Sequence, residues 1–258
     1  MFNLKGKNVL ITGGSGYLGT AISEGLAAAG ANIFIASKNQ KKCQQLADIL
    51  SQSYHVDCQG LFMDVSDGDS ITACLADIHK SAKTIDILIN NAYFGSVGTL
   101  ETIKDKDWYN GIEGTIHNVY KCTRTVLPYM LAQKSGVIIN VASMYGLVSP
   151  NPDLYSGNSY HNPPQYGAGK AAIIQYTRYL ACHYGNKGIR ANCISPGPFP
   201  NLETQKDEEF VKRLKERNPL NRIGRPEDLK GIMVLLASDA SSYITGQNIS
   251  IDGGWTAW

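Results

Sequence analysis

Short apolar runs and helical patterns alternate along most of this chain, and this alternation restricts the possible folds more than any other feature. The first apolar run, 8–12, is followed by a glycine-rich turn and then by a helical segment at 20–29. Further apolar runs occur at 32–36, 59–63, 85–89, 137–142, 189–195 and 247–251. Strict alternation of strand and helix is typical of parallel strands joined by helical crossovers. We therefore predict an α/β fold, with a doubly wound, seven-stranded parallel sheet in a single domain.

Length and composition exclude several other classes of protein. The 258 residues, 43% of them hydrophobic and 18% charged, suit one large domain with a sizeable core. A net charge of +2 gives no support for binding to nucleic acid or to an anionic membrane. The cysteines contain no C-x-x-C pair and the histidines have no metal-ligand spacing, so we expect no metal site. The first residues contain no signal-peptide apolar region, and we expect a cytoplasmic protein.

The glycine-rich turn, Gly13–Gly19, lies between the first predicted strand and the first predicted helix. Glycines let the backbone approach a pyrophosphate, and the helix N-terminus offers free N–H groups and the positive end of its dipole. Ligands of doubly wound sheets bind beyond the carboxyl ends of the strands. Ser37, Asp64 and Asn91 all follow predicted strands, so we expect them beside the same ligand.

The end of the second predicted strand bears on the choice of cofactor. An NAD site usually has Asp or Glu there to accept a hydrogen bond from the ribose 2′-hydroxyl, whereas a 2′-phosphate needs a cation. The sequence at this point is Ser37-Lys38-Asn39, which contains no acid. Because a hydroxyl and an ammonium group suit a phosphate, we predict NADP as the cofactor. The alternative is NAD, with Lys38 as a solvated loop lysine.

Tyr166 and Lys170 begin a long, mostly apolar helical pattern, and their spacing of four puts them on one helix face. A free tyrosine has a pKa of about 10 and is a poor base at neutral pH. A cation beside the phenol favours the phenolate and lowers this pKa, which makes the phenol a usable general acid or base. The alternative is an exposed pair at a common helical spacing.

Several motifs in a fixed order make the chain resemble the short-chain dehydrogenase/reductase family over almost its whole length. The motifs are Thr12-Gly13 with the glycines to Gly19, Asp64-Val65, Asn90-Asn91-Ala92, Ser143, Tyr166-x-x-x-Lys170, Pro196-Gly197 and Asp252-Gly253-Gly254. The resemblance implies a Rossmann-type sheet, a nicotinamide cofactor, reversible oxidation of an alcohol to a carbonyl, and assembly as a homotetramer or homodimer. It implies that Tyr166 is the acid/base, that Lys170 holds the nicotinamide ribose, and that Ser143 hydrogen-bonds the substrate oxygen.

The residues predicted to contact the cofactor lie in the glycine-rich turn, at strand ends and around the predicted acid/base. They are Gly13, Ser15, Gly16, Tyr17, Leu18, Ser37, Lys38, Asp64, Val65, Asn91, Ala92, Tyr166, Lys170, Pro196, Gly197 and Phe199. Tyr17 stands where compact members of the family usually have a glycine. The chain length and the C-terminal glycine motif nevertheless resemble the compact branch.

Thr115 occupies a position at which the family often has a fourth catalytic residue, an Asn that follows a Trp, here Trp108. In the family that Asn offers mainly its backbone carbonyl to a water that links the Lys to solvent. Thr115 would keep this carbonyl, so we include it among the predicted catalytic residues. Asn118, one turn further on, either compensates for the missing Asn or is a polar residue on the helix face.

The segment between Ser143 and Tyr166 is longer than is usual in the family, and we predict a substrate loop at about 147–165 and a lid at about 198–220. The polar side chains in and beside the loop suit a polyhydroxylated substrate such as a sugar. We predict substrate contacts from Ser143, Tyr145, Tyr155 and Tyr160. The alternative is an insertion that packs on itself and has no substrate role.

These features together predict an NADP-dependent oxidoreductase that interconverts a secondary alcohol and a ketone on a sugar or sugar derivative. One alternative is a 3-oxoacyl-carrier-protein reductase, which needs a basic surface for its acidic carrier protein. The lid contains basic residues such as Lys212 and Lys215, but nearby glutamates reduce the net positive charge. A second alternative is a catalytically weak cofactor-binding sensor or structural subunit. Thr115, at the position of the family's catalytic Asn, favours this alternative.

Overall fold

Seven parallel strands form one sheet in the computed structural model, which describes residues 1–157 and 161–258. The strands are β1 (Asn8–Thr12), β2 (Asn32–Ser37), β3 (Cys58–Phe62), β4 (Ile87–Asn90), β5 (Gly136–Val141), β6 (Ile189–Pro196) and β7 (Asn248–Ile251). Their spatial order is β3-β2-β1-β4-β5-β6-β7, and every neighbouring pair is parallel. The predicted doubly wound, seven-stranded sheet is confirmed.

Helices connect these strands and cover both faces of the sheet. They are α1 (Tyr17–Ala28), α2 (Gln40–Tyr54), α3 (Gly68–Ala82), α4 (Asp105–Ile112), α5 (Asn118–Gln133), α6 (Pro164–Tyr184), α7 (Glu208–Glu216) and α8 (Lys230–Ala237). A π-helical turn, Glu113–His117, joins α4 to α5. Across residues 1–157 and 161–258, no helix combines the length and the apolar character needed to cross a bilayer.

The side chains of β1 alternate between two hydrophobic cores, one on each face of the sheet. Val9 and Ile11 pack in a core that includes Ile22 of α1. Leu10 points the other way, into a core that includes Val126 of α5. A strand that is buried on both faces reads as a nearly continuous apolar run, which explains why Val9, Leu10 and Ile11 are all apolar.

The strand order reverses at β1, and this determines where a ligand can bind. From β1 the chain moves outward through β2 to β3, and then returns to β4 on the other side of β1. Thr12 and Asn90 are paired at the carboxyl ends of β1 and β4. Doubly wound sheets bind their ligands at such a reversal, beyond the carboxyl ends of the strands.

Candidate cofactor groove and active site

The glycine-rich turn is tightly folded between β1 and α1. Gly13 has a φ of +64°, in the left-handed region that favours glycine. A Cβ at Gly19 would lie 2.2 Å from the Gly13 carbonyl oxygen, so this close approach requires glycine. Helix α1 begins at Tyr17, earlier than the predicted residue 20, and its N-cap Gly16 provides no side-chain capping hydrogen bond. The first N–H groups of α1 are therefore available to an anion such as a pyrophosphate.

A groove of about 500 Å³ lies beside this turn, and we call it the glycine-turn groove. It is lined by Gly13, Gly16, Tyr17, Leu18, Gly19, Ser37, Lys38, Met63, Val65, Asn91, Ala92, Tyr93 and Phe94. Most of the cofactor residues predicted in the first half of the chain are in this set. The bare backbone of the turn and the uncapped helix N-terminus fit the phosphates of a dinucleotide. Tyr93 and Phe94 were missed by the sequence analysis, although they directly follow a predicted cofactor motif.

Ser37 and Lys38, which were predicted to distinguish NADP from NAD, each contact other side chains beside the groove. The Ser37 hydroxyl lies 3.5 Å from the hydroxyl of buried Ser15 and 3.0 Å from the Cys43 thiol. The Lys38 ammonium pairs with the Asp64 carboxylate at 2.8 Å, and the Lys38 side chain is 64% exposed. Burial raises the pKa of Asp64, but hydrogen bonds from Lys38 and a neighbouring serine outweigh it, so this pKa lies below its ordinary value. Because exposed ion pairs contribute at most about 1 kcal/mol, a phosphate can compete with Asp64 for Lys38.

Ser143, Tyr166 and Lys170 meet in a smaller cavity of about 160 Å³, which we call the Tyr166 pocket. The rest of its lining is Leu18, Asn91, Tyr93, Val141, Ala142, Pro196, Gly197 and Phe199. Leu18, Asn91 and Tyr93 also line the glycine-turn groove, so the two cavities adjoin. The carboxyl ends of β4, β5 and β6 and the N-terminal part of α6 thus bring residues that are distant in sequence to one place.

Lys170 is almost completely buried, with 4% of its surface exposed. Its ammonium donates a hydrogen bond to the Val141 carbonyl at 2.7 Å and lies 5.5 Å from the centre of the Tyr166 ring. Burial lowers the pKa of Lys170 to about 8. The lysine therefore remains mostly charged at neutral pH, but only by a narrow margin.

The pKa of Tyr166 is shifted from its ordinary value in the direction opposite to the one predicted from the sequence. Burial raises this pKa, and a hydrogen bond with Ser143 lowers it by less, so the pKa lies above its ordinary value. The predicted net lowering of this pKa was wrong for this structure, because burial outweighs the effects that favour the phenolate. A raised pKa keeps the phenol protonated at neutral pH, which suits a proton donor.

Thr115 lies outside the lining of the Tyr166 pocket, within the π-helical turn. Its hydroxyl is buried and donates a hydrogen bond to the Gly111 carbonyl at 2.8 Å. Asn118 is also buried, and its amide donates to the carbonyls of Ala92 and Gly114 at 3.1 and 2.9 Å. Asn118 therefore ties the loop after β4 to this helix, a role that neither of the two sequence-based interpretations named.

Tyr145 and Tyr155 are buried against each other, with their hydroxyls 2.9 Å apart. They line a separate cavity of about 780 Å³ beneath the predicted substrate loop, not the Tyr166 pocket. Each of them nevertheless interacts electrostatically with Tyr166, so this hydroxyl pair lies near its phenol. Tyr160, the remaining predicted substrate residue, lies outside the described residues.

The predicted lid, 198–220, contacts both the substrate loop and the glycine-rich turn. The ring of Tyr155 packs 5.5 Å from the ring of Phe210 on α7. The Gln205 amide donates a hydrogen bond to the Tyr17 hydroxyl at 3.0 Å. The tyrosine that replaces a glycine of the family motif thus joins the turn to the lid.

Comparisons with known proteins agree with this architecture. A family model described as enoyl-(acyl carrier protein) reductase matches residues 15–256. The 3-oxoacyl-(acyl-carrier-protein) reductase FabG of Chlamydia trachomatis is 32% identical over 256 residues, covering 97% of this chain and 98% of that protein. A sorbose reductase of Candida albicans is 34% identical over 259 residues, covering 99% of this chain and 89% of that protein.

Solved structures give the same result at the level of the fold. A gluconate 5-dehydrogenase from Burkholderia cenocepacia, in complex with NADP and tartrate, has a TM-score of 0.89 and 29% identity, covering 100% of this chain and 98% of that one. The matches span the sheet, the glycine-rich turn and the segment that carries the Tyr166 pocket. The protein is therefore an oxidoreductase that belongs to the short-chain dehydrogenase/reductase family.

Proposed function

We propose that this enzyme is an NADP-dependent oxidoreductase that interconverts a secondary alcohol and a ketone on a sugar or sugar derivative. The observation that carries the proposal is the Tyr166 pocket, where Ser143, Tyr166 and Lys170 adjoin the glycine-turn groove. A bound nicotinamide cofactor supplies or accepts the hydride. The chain's own residues supply the position of the reacting groups and the proton.

In the direction of carbonyl reduction, Tyr166 is the proton donor. Its raised pKa keeps the phenol protonated at neutral pH, so it can protonate the carbonyl oxygen as that oxygen gains negative charge. The Ser143 hydroxyl, which hydrogen-bonds Tyr166, orients the same oxygen. The positive charge of Lys170 stabilises the phenolate that remains, and Lys170 also holds the nicotinamide ribose. The Thr115 hydroxyl is not available to the proton path, because it already donates to the Gly111 carbonyl. Thr115 therefore contributes its backbone carbonyl to this path.

The preference for NADP rests on the groups at the end of β2. Ser37 and Lys38 line the glycine-turn groove, and no acid stands beside them in the sequence. The Asp64 carboxylate pairs with the Lys38 ammonium, and this ion pair leaves the lysine positioned at the groove. The presence of NADP in the Burkholderia relative supports the same choice.

We expect Lys38→Ala to weaken NADPH binding by about tenfold and NADH binding by less than about twofold, because only NADPH carries the 2′-phosphate. Fluorescence titration of both dinucleotides measures the two dissociation constants. Lys41→Ala, at an exposed lysine of α2, is the matched control and is expected to change neither constant. Equal weakening of both dinucleotides by Lys38→Ala would show that Lys38 makes no contact with a 2′-phosphate.

The sugar-type substrate is proposed from the groups near the Tyr166 phenol. The Tyr145 and Tyr155 hydroxyls form a hydrogen-bonded pair that interacts electrostatically with Tyr166. The cavity beneath the substrate loop adds hydroxyl and amide groups, including those of Ser149 and Asn162. A polyhydroxylated substrate matches such groups better than an acyl chain does. The names of the sorbose reductase and the gluconate 5-dehydrogenase are consistent with this choice.

A 3-oxoacyl thioester is the second candidate substrate, because relatives of similar identity are 3-oxoacyl-(acyl-carrier-protein) reductases. An acidic carrier protein would need a basic surface beside the site. Helix α7 carries three basic residues, Lys212, Arg213 and Lys215, but three glutamates on the same helix, Glu208, Glu209 and Glu216, balance their charge. We therefore rank the thioester below the keto-sugar as a candidate substrate.

The deciding experiment measures NADPH oxidation with a panel of keto-sugars, sugar phosphates and 3-oxoacyl thioesters. Turnover of a keto-sugar supports both the Tyr166 site and the sugar-type substrate. Turnover of the thioester alone supports the site and excludes the sugar proposal. Binding of NADPH without turnover of any compound favours a cofactor-binding sensor, and Thr115→Asn would then be the first variant to examine for restored activity.

We propose a homotetramer in which the long helices α5 and α6 form an interface. Tyr120 of α5 and Tyr179 of α6 are exposed aromatic residues, and Tyr179 stacks on His183 with ring centres 3.8 Å apart. Sedimentation is expected to give a mass of about 112 kDa, four times the 28.1 kDa chain. Tyr179→Glu is expected to reduce that mass, whereas Tyr243→Glu, on an exposed loop, is expected to leave it unchanged. A 28.1 kDa species in the wild type would refute the assembly.

A cytoplasmic location is part of the same proposal. All six cysteines are unpaired, and Cys43, Cys74, Cys122 and Cys193 are buried. Unpaired thiols are usual in a reducing compartment.

A further inference from the structure

Tyr93 lies where the glycine-turn groove and the Tyr166 pocket meet, and the proposed mechanism does not use it. Its side chain lines both cavities. The centre of its ring is 5.0 Å from that of Tyr166, and the two rings meet edge to face at 79°. The Lys170 ammonium lies 5.7 Å from the centre of the Tyr93 ring and 5.5 Å from that of the Tyr166 ring. Two aromatic rings therefore lie next to each other beside one buried cation.

The backbone on both sides of Tyr93 is held by hydrogen bonds to the helix that follows. The Ala92 carbonyl accepts a hydrogen bond from the Asn118 amide at 3.1 Å. The Phe94 N–H donates to the Gly114 carbonyl at 3.4 Å. Because both neighbours are anchored, the fold itself directs the Tyr93 ring towards Lys170.

The buried ammonium of Lys170 needs more stabilisation than its hydrogen bond to the Val141 carbonyl supplies. An ammonium has three donors, and burial of a charge is costly unless other groups compensate. The faces of aromatic rings carry negative potential and attract a cation, more strongly when it is removed from water. Burial raises the pKa of Tyr93 to about 12, so its ring remains neutral in the physiological range.

The groups that surround Lys170 come from three elements. Tyr166 lies on α6 itself, Ser143 follows β5, and Tyr93 follows β4. In the part of the chain that the structure describes, no charged side chain shifts the pKa of Lys170, and burial is the only cause of its change. The aromatic rings are thus the groups placed to favour the charged form.

We propose that Tyr93 is a positioning residue whose ring, together with the neighbouring ring of Tyr166, forms an aromatic cage on one side of the Lys170 ammonium and keeps it charged and in place. The cage itself follows from geometry, whereas its effect on turnover rests on the proposed function. The size and aromatic character of residue 93 would then affect catalysis without any contact between this residue and the reacting atoms.

The test measures the pKa of Lys170 by NMR on protein with ¹³C-labelled lysine, with the resonance assigned by its loss in Lys170→Met. In Tyr93→Leu, which keeps much of the bulk but removes the ring, the pKa is expected to fall by about 0.5 to 1 because the charged form loses a stabilising contact. Tyr93→Phe, which keeps the ring, is expected to retain the wild-type value. Tyr243→Leu, at a fully exposed tyrosine, is the control.

An unchanged or higher pKa of Lys170 in Tyr93→Leu would overturn the cage, because a side chain that only excludes water would raise this pKa when it is reduced in size. If Tyr93→Leu does not fold, Tyr93→Met tests the same point with another flexible, non-aromatic side chain. These readings need no substrate, so they remain valid even if the proposed reaction is wrong.

With an active substrate, the alkaline limb of kcat is expected to move to lower pH in Tyr93→Leu, and kcat is expected to fall several-fold with little change in KM. Tyr93→Phe is expected to have the wild-type kcat and the wild-type alkaline limb of kcat. A lower kcat with an unshifted limb would mean that Tyr93 acts only through the shape of the pocket, which contradicts the cage.

Discussion

Replacing Tyr166 by phenylalanine is expected to lower the rate of carbonyl reduction by about 100- to 10,000-fold, the range over which general acid catalysis contributes. The substitution removes the proton donor but keeps the ring that packs against Tyr93 and Lys170. The dissociation constant for NADPH is therefore expected to stay within about twofold of the wild-type value. Single-turnover oxidation of bound NADPH separates the chemical step from binding.

The matched control for this variant is Tyr184→Phe, at the other end of α6. It removes a phenolic hydroxyl from the same helix and is expected to leave both the rate and the NADPH affinity unchanged. A rate for Tyr166→Phe close to that of the wild type would remove Tyr166 from the acid/base role, whatever substrate is used.

The pH dependence of the wild type provides a further check of the same assignment. In the proposed mechanism, reduction requires the protonated Tyr166 phenol and the charged Lys170. Burial raises the pKa of Tyr166 and lowers that of Lys170 to about 8, so Lys170 is the first of the two to lose its proton as the pH rises. The rate is therefore expected to be level near neutral pH and to fall as the pH passes through about 8.

Replacing Lys170 by methionine is expected to abolish turnover and yet to make the protein more stable at pH 7. The pKa of Lys170 is about 8 in the folded protein, against an ordinary value of 10.5. The unfolded chain therefore binds this proton more tightly than the folded protein does. Through this group alone, the free energy of unfolding is about 3 kcal/mol lower below pH 8 than above pH 10.5. This contribution rises with pH between the two values.

Methionine removes the buried charge while it retains an unbranched side chain. The Val141 carbonyl loses its hydrogen-bond partner, which costs about 1 kcal/mol and offsets part of the gain. The net increase in the free energy of unfolding at pH 7 is therefore expected to be about 1 to 3 kcal/mol. Urea unfolding at pH 7 and at pH 10, at one fixed protein concentration, measures this difference.

The gain from Lys170→Met is expected to shrink as the pH rises from 8 towards 10.5, because the wild-type lysine then becomes neutral in the folded state. Lys106→Met, at an exposed lysine of α4, is the control and is expected to change stability little at either pH. A Lys170→Met protein that is less stable than the wild type at pH 7 would show that Lys170 is retained for the fold. A more stable but inactive variant would show that the buried charge is kept for catalysis, at a cost to stability.

Much of the fold was predictable because its signals are local in the sequence. Val9, Leu10 and Ile11 form an uninterrupted apolar run, since both faces of β1 are buried, and Gly13 meets the backbone requirements of the turn. The spacing of Tyr166 and Lys170 places them on the same pocket because helical geometry is local. The start of α1 was predicted three residues late, since the whole of Gly13–Gly19 was assigned to the turn.

What the sequence by itself determined was the alternation of strands and helices in a doubly wound α/β sheet, the glycine-rich turn and the three residues Ser143, Tyr166 and Lys170 of one pocket. Only the tertiary structure decided that Lys170 bonds the Val141 carbonyl, that Tyr145 bonds Tyr155, and that the Tyr93 ring reaches the buried ammonium. These contacts join elements that are far apart along the chain. They depend on which strands become neighbours and on how deeply each group is buried, and burial is also what sets the pKa of a group such as Lys170.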